Sequence, residues 1–376
     1  MEQLTFPEYF IADCKEDGVD QENLIDRGVI YRKTNDNSVK MICRTFPYTE
    51  EFFTTDEEKI KERVQQGEWK YYPSYEGTII RVVYDSEFNV QLVSTHKKID
   101  AFQSRWGSEE SFGQLFKRSI EEYYKNNKNV DDVLMENIWQ QFLSSLPKTH
   151  HHTFLLCSNL DTKTVASRDN EVFYVGSFDV KTNEYKGLLY DVADKCQIFC
   201  KAITEIDWFE QPLDKVEAIL EYIEKINPLN QQGVLAVRQD KFEMFKIIND
   251  VYSSLAQLRN NNPNLTMRYL ELYKSSSHLL NDFIYFFDNK YHEFQTTGEM
   301  YDDTIKYIYN VASARYENGH YVKTTPFFHN FIKTFESRAK TEGLTYEYVF
   351  QKMGEQATET LYNLIRAYVK LITTGL

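Results

Sequence analysis

The sequence predicts an α+β fold: antiparallel sheets with flanking helices, followed by an all-helical C-terminal domain. Three observations lead there. Up to about residue 260, short β-branched and aromatic runs alternate with Gly, Asn and Asp turns and with amphipathic stripes. From Leu265 onward the apolar spacing is helical throughout. Between the two lies Arg259–Tyr269, whose Asn-Pro step marks a boundary and gives domains at 1–264 and 265–376.

Taken in order, the chain opens irregularly. Gly28–Tyr31 and Val39–Cys43 then form a strand pair around the turn-prone Thr34–Ser38. Glu57–Gln66 has the pattern of a short charged helix. The central stretch is Tyr72–Gly107, with strands Thr78–Tyr84 and Asn89–Ser94 on either side of the turn Asp85–Ser86–Glu87. Ile79, Val83, Val90 and Leu92 give that hairpin an apolar face, Arg81 is embedded in its first strand, and Thr95–His96–Lys97–Lys98 forms a basic exit. Helices Ser108–Asn126, striped by Phe112, Leu115, Phe116, Ile120 and Tyr123, and Val130–Leu146, striped by Val133, Ile138, Phe142 and Leu146, follow. Strands Thr153–Cys157 and Val172–Asp179, helix Pro212–Ile226, and strands Gln232–Val237 and Phe245–Asn249 complete the first domain. In the second, Thr325–Pro326 caps a helix that Gly343 closes. Thr345 begins one last helix, with Phe350, Met353, Ala357, Leu361, Leu364, Tyr368 and Leu371 at helical spacing.

Composition narrows the function. At 376 residues and 42% hydrophobic, the chain can bury the cores of two domains. A net charge of −14 argues against broad, charge-driven nucleic-acid binding, which needs clustered Lys and Arg. No apolar run reaches the roughly 18 residues of a membrane span, and MEQLTFPEYF lacks the pattern of a signal peptide. Five cysteines without a framework spacing fit reduced thiols, with Cys196 and Cys200 as buried small side chains on one helical turn. The run His150–His151–His152 invites a metal, but consecutive residues of an extended chain alternate sides, so a polar start to a strand is expected. Abundant Asn, Lys, Tyr, Phe and Ile, with few Gly, Pro and Ala, is the usage of an AT-rich genome such as a large DNA virus or a protist.

Five segments, in order, resemble the covalent nucleotidyltransferases, and among them the phage-type and giant-virus RNA ligases. Arg27–Gly28–Val29–Ile30 followed by Arg44 is similar to the ligase segment whose Arg approaches the nucleotide phosphate. Ser74–Tyr75–Glu76–Gly77–Thr78 stands where the family has Lys-x-x-Gly-Ser, the Lys being the residue that takes AMP; here it is Ser74. Thr95-x-Lys97 suits the element that faces the nucleotide. In the third motif Cys157 occupies a Glu position, and Lys163 and Thr164 fall where Asn and Arg are expected. Gln232–Gly233 stands for Glu-Gly, and Lys246 with Tyr252 keeps part of a Lys-x-Lys-x-x-x-Tyr motif whose second Lys is Ile248.

The resemblance implies a nucleotidyltransferase domain, ATP-grasp-like in layout, with pocket candidates Arg44, Glu76, Gly77, Thr95, Lys97, Gln232 and Lys246. Its departures at Ser74, Cys157, Gln232 and Ile248 remove the nucleophile and much of the charge that adenylation needs. A catalytically degenerate, ligase-like protein follows as the expectation. It would act as a structural or interaction component with protein partners, in the host cytoplasm or virion of a large DNA virus, with no cofactor and no metal. The alternatives are an active RNA ligase using another lysine, with ATP and Mg²⁺, and a non-catalytic binder of nucleotide or RNA ends.

Overall fold

The computed structural model describes residues 8–11, 28–34, 38–46, 49–128, 137–158, 164–165, 170–187, 196–206, 215–238 and 242–374. Arg27, Val133, Lys163 and Pro212, which the motif and helix assignments use, lie outside them. The chain divides into two units, 1–257 and 258–376.

The larger unit holds three sheets. The first has the order β1–β2–β3, from Tyr9–Ile11, Ile30–Lys33 and Val39–Cys43, all antiparallel. The second is built on the central hairpin, β6 (Thr78–Asp85) and β7 (Val90–Thr95). Its order is β10–β9–β8–β6–β7, with β8 His150–Cys157, β9 Glu171–Asp179 and β10 Tyr185–Gly187, and the two-residue β11 (Lys201–Ala202) lies parallel to β9. The third runs β4–β13–β12–β5: Glu50–Phe53, Glu243–Ile248, Gly233–Arg238 and Lys70–Ser74. All its pairs are antiparallel except β4 with β13, which is parallel. The antiparallel expectation therefore holds for every pair of these sheets but two, β9 with β11 and β4 with β13.

Helices cover one face of each large sheet. α1 (Glu57–Val64) and α4 (Lys215–Lys225) put Ile60, Val216, Ile219 and Ile223 against Tyr71, Val234, Ala236, Phe245 and Ile247 of the third sheet. α2 (Phe112–Lys128) and α3 (Ile138–Ser145) put Leu115, Phe116, Ile120, Ile138 and Phe142 against Ile80, Val82, Phe154, Leu156 and Tyr174 of the second. Burying each such aliphatic or aromatic side chain stabilises the fold by about 1.5–3 kcal/mol before entropy is counted. Cys196 and Cys200 belong to this same core.

The start of β8 is covered on both sides, and this changes the histidine run. The strand begins at His150, three residues ahead of the expected Thr153, and His151 and His152 are buried on opposite sides of it. His151 Nδ1 accepts from the Tyr84 N–H at 3.3 Å, while His152 lies 3.0 Å from the Pro147 carbonyl oxygen. Burial pushes both imidazoles down to about 4. They are core histidines within the strand.

After α5 (Asp250–Arg259), α6 (Leu265–Lys274), α7 (Leu280–Phe286), α8 (Tyr291–Tyr316), α9 (Pro326–Lys333), α10 (Glu336–Thr341), α11 (Tyr346–Gly354) and α12 (Thr358–Thr374) of the smaller unit follow one another. The 26-residue α8 buries Phe294, Tyr301, Ile305, Ile308 and Val311 along one stripe. Asn264, Thr325 and Thr345 accept from the backbone N–H three residues on and so cap α6, α9 and α11. The single last helix expected from Thr345 is in fact two, broken between Gly354 and Thr358. The division at Leu258 precedes the Asn-Pro segment because that segment is fastened to this unit. Arg259, 1% exposed, donates to the carbonyls of Asn262 and Pro263, and Arg268 donates to that of Leu258.

Candidate functional site

Between the uncovered faces of the second and third sheets lies a cavity of about 400 Å³. Strand alternation decides what reaches it. In the third sheet Tyr71, Ala236 and Phe245 point to the helices, so Tyr72, Ser74, Leu235, Val237, Met244 and Lys246 point into the cavity. From the second sheet come Ile79, Leu155 and Val175.

The β5–β6 junction forms one end of the cavity. Ser74, 4% exposed, is in register with Gly233 of β12. The Gln232 N–H donates to the Ser74 carbonyl at 2.9 Å, and its side-chain amide donates to the Tyr75 carbonyl at 2.7 Å. Gly77 is needed for a close approach: a Cβ there would lie 2.6 Å from the Leu156 carbonyl oxygen of β8. Glu76 turns away from the cavity lining. Its carboxylate accepts from the N–H groups of Thr164 and Val165 and, at 3.0 Å, from the Tyr252 hydroxyl. That network clamps the junction, and burial with the nearby carboxylate pushes the Tyr252 phenol well above its ordinary range.

The motif positions therefore separate. Ser74, Gly77, Gln232 and Lys246 line one cavity. Arg44 is exposed and outside the lining, its backbone N–H donating to Asn183. Thr95 is directly opposite Ile80, a residue of the helix-covered core, so its side chain belongs to that other face. Its hydroxyl accepts from the N–H groups of Lys97 and Lys98 and closes a turn, which leaves Lys97 exposed and outside the lining. His96 takes the cavity position between them, with Nδ1 3.2 Å from the Thr45 hydroxyl. Alternation along β7 was the signal for it: if Thr95 and Lys97 share one side, His96 has the other. Thr49, near which the resemblance puts the missing Lys of the ligase segment, and Glu51 also line the cavity.

Its electrostatics are sparse. Among the described lining residues the lysine is Lys246 and the carboxylate is Glu51, with Nζ and Oε1 3.7 Å apart in a long ion pair. The Lys246 side chain is 24% exposed, and burial lowers its pKa while Glu51 works in the opposite direction. Cys157, at the Glu position of the third motif, is buried with Leu155 and Phe173 rather than presented to the cavity. Ile248 is buried too. Among the described residues no three His, Cys, Asp or Glu side chains gather to hold a metal ion. The site can enclose an apolar or flat body between the sheets and meet a polar end with Ser74, Gln232, His96 and Lys246.

No protein-family model matches the chain. The curated relatives include the immediate-early protein ICP-46 homolog of Invertebrate iridescent virus 6, 27% identical over 256 residues, which are 65% of this chain and 52% of that protein. The homolog from Invertebrate iridescent virus 3 is 28% identical over 235 residues, 60% of this chain and 46% of that one. The chain spans about half the length of the curated relatives it matches. Its structural neighbours include RNA ligases. An archaeal ATP-dependent RNA ligase is 11% identical with a TM-score of 0.39 over 97% of this chain and 84% of its own. A Naegleria gruberi RNA ligase with PPi is 15% identical with a TM-score of 0.34 over 56% and 58%. No helix among the described residues is long and apolar enough to cross a membrane.

Proposed function

We propose that the larger unit is a nucleotidyltransferase-type core that has given up covalent nucleotide transfer and serves a virus as a binding or structural component. The observation that carries this reading is Ser74. By the motif resemblance it stands for the nucleophilic lysine of the RNA ligases, and it is buried at the end of β5, lining the same cavity as Gln232 and Lys246. A seryl hydroxyl at that point lacks both the reach and the nucleophilicity of an amine. Support comes also from what surrounds it. Arg44 and Lys97, the other expected phosphate contacts, stand outside the lining, and Lys246 faces the carboxylate of Glu51. A pentacovalent phosphorus centre needs fixed positive charge around it, and one such lysine supplies little. The viral setting is supported by the two iridescent-virus relatives.

The test is incubation of the purified chain with α-labelled ATP or GTP and Mg²⁺ or Mn²⁺, followed by a denaturing gel. The wild type is expected to carry no covalent label. Ser74→Lys is also expected to remain unlabelled, because Cys157, Gln232 and Ile248 depart from the motif independently. Label on the wild-type chain, mapped to any lysine, overturns the reading.

A further inference from the structure

The cavity is built for a different ligand from the one its topology suggests. We propose that it binds a small amphiphile with an apolar or aromatic body and a single anionic head, a monocarboxylate or monosulfonate, with Lys246 holding the head. The inference rests on the reading above, that the cavity lacks the cations a nucleoside triphosphate requires.

Three observations carry it. The walls are apolar from both sides: Phe46, Tyr72, Leu235 and Val237 oppose Leu155 and Val175 across the space between the sheets. At about 400 Å³ the space is of ligand size, near the small end of the usual range. Among the described lining residues the one lysine is Lys246, whose Nζ stands 3.7 Å from a half-exposed Glu51. A triphosphate would bring several negative charges past that carboxylate to one lysine, and the unmatched charges would lose their hydration. A single head group matches a single lysine, and the apolar body releases water from walls that have no other use for it.

The experiment uses the intact chain and two probes, 1-anilinonaphthalene-8-sulfonate followed by fluorescence and decanoate followed by calorimetry, with Mg–ATP as comparator. One saturable site is expected, with decanoate displacing the dye and Mg–ATP failing to do so. Lys246→Met is expected to weaken both probes about tenfold or more, as loss of a charge-assisted contact does. Lys246→Arg keeps the charge and is expected to stay near wild type. Unchanged tryptophan emission shows that the variants are folded. Absence of saturable binding in an unlabelled wild-type chain, binding unmoved by Lys246→Met, or displacement of the dye by Mg–ATP each overturns the inference. Covalent labelling by ATP is the separate outcome that removes the reading beneath it.

Discussion

Replacing Asp85 by Ala tests how the first sheet is held to the central hairpin. Arg32 of β2 and Asp85 at the end of β6 form an ion pair at 2.9 Å, with side chains 1% and 3% exposed. The same carboxylate accepts from the Tyr9 hydroxyl at 3.0 Å and from the Glu87 N–H at 3.1 Å. Without it the Arg32 guanidinium keeps one ionic partner, Glu87, which is 52% exposed. Breaking a buried pair from one side costs about 3–5 kcal/mol, and the surviving Glu87 contact places this case near 3 kcal/mol. Urea unfolding followed by tryptophan fluorescence is the assay. All four tryptophans, Trp69, Trp106, Trp139 and Trp208, precede residue 258, so the signal reports the larger unit alone. With a slope of about 3 kcal/mol/M the midpoint falls by about 1 M. The double variant Arg32→Met with Asp85→Leu should lose less than Asp85→Ala, since it leaves no buried charge behind. A loss below about 1 kcal/mol for Asp85→Ala, or a double variant that is worse than the single one, would refute the argument.

Other expectations follow from packing and burial. A Cβ at Gly233 would sit 2.0 Å from the Ile247 carbonyl oxygen, so Gly233→Ala must part β12 from β13 and should cost about 3 kcal/mol in the same assay; a cost under about 1 kcal/mol counts against that register. In the smaller unit a Cβ at Gly298 meets the Tyr269 hydroxyl at 2.6 Å, where Tyr269 stacks on Phe294. Gly298→Ala should lower thermal stability measured by circular dichroism by about 1–3 kcal/mol, and an unchanged melting curve refutes it. His151 and His152 titrate near 4 when folded against 6.5 ordinarily. The unfolded chain therefore binds protons first as pH falls. Their stabilising contribution is full above about pH 6.5 and is lost between there and about pH 4, by about 3 kcal/mol for each imidazole. The urea midpoint of the larger unit should drop between pH 7 and 5, and His152→Phe should flatten that slope; equal slopes in both proteins would exclude the buried-imidazole account.

The sequence by itself determined the element types and most of their limits, because those follow from periodicity and turn chemistry, which are local. The hairpin expected at Thr78–Tyr84 and Asn89–Ser94 forms at Thr78–Asp85 and Val90–Thr95, and the caps at Thr325 and Thr345 form as expected. It also marked Ser74, Gly77, Gln232 and Lys246, four positions on strands or strand ends that meet in one cavity. What only the tertiary structure decided is which way side chains face once strands pair. Alternation puts His96 on the side opposite Thr95 and Lys97, but only the register of Ile80 with Thr95 sends Thr95 to the helix-covered side and gives the cavity to His96. His151 and His152 look polar in sequence but are buried, because both sides of the start of β8 are covered. Glu76 has the look of a pocket residue, yet three donors from residues 164, 165 and 252 turn its carboxylate into a clamp. Local chemistry fixes what a residue can do, and long-range pairing fixes what it faces.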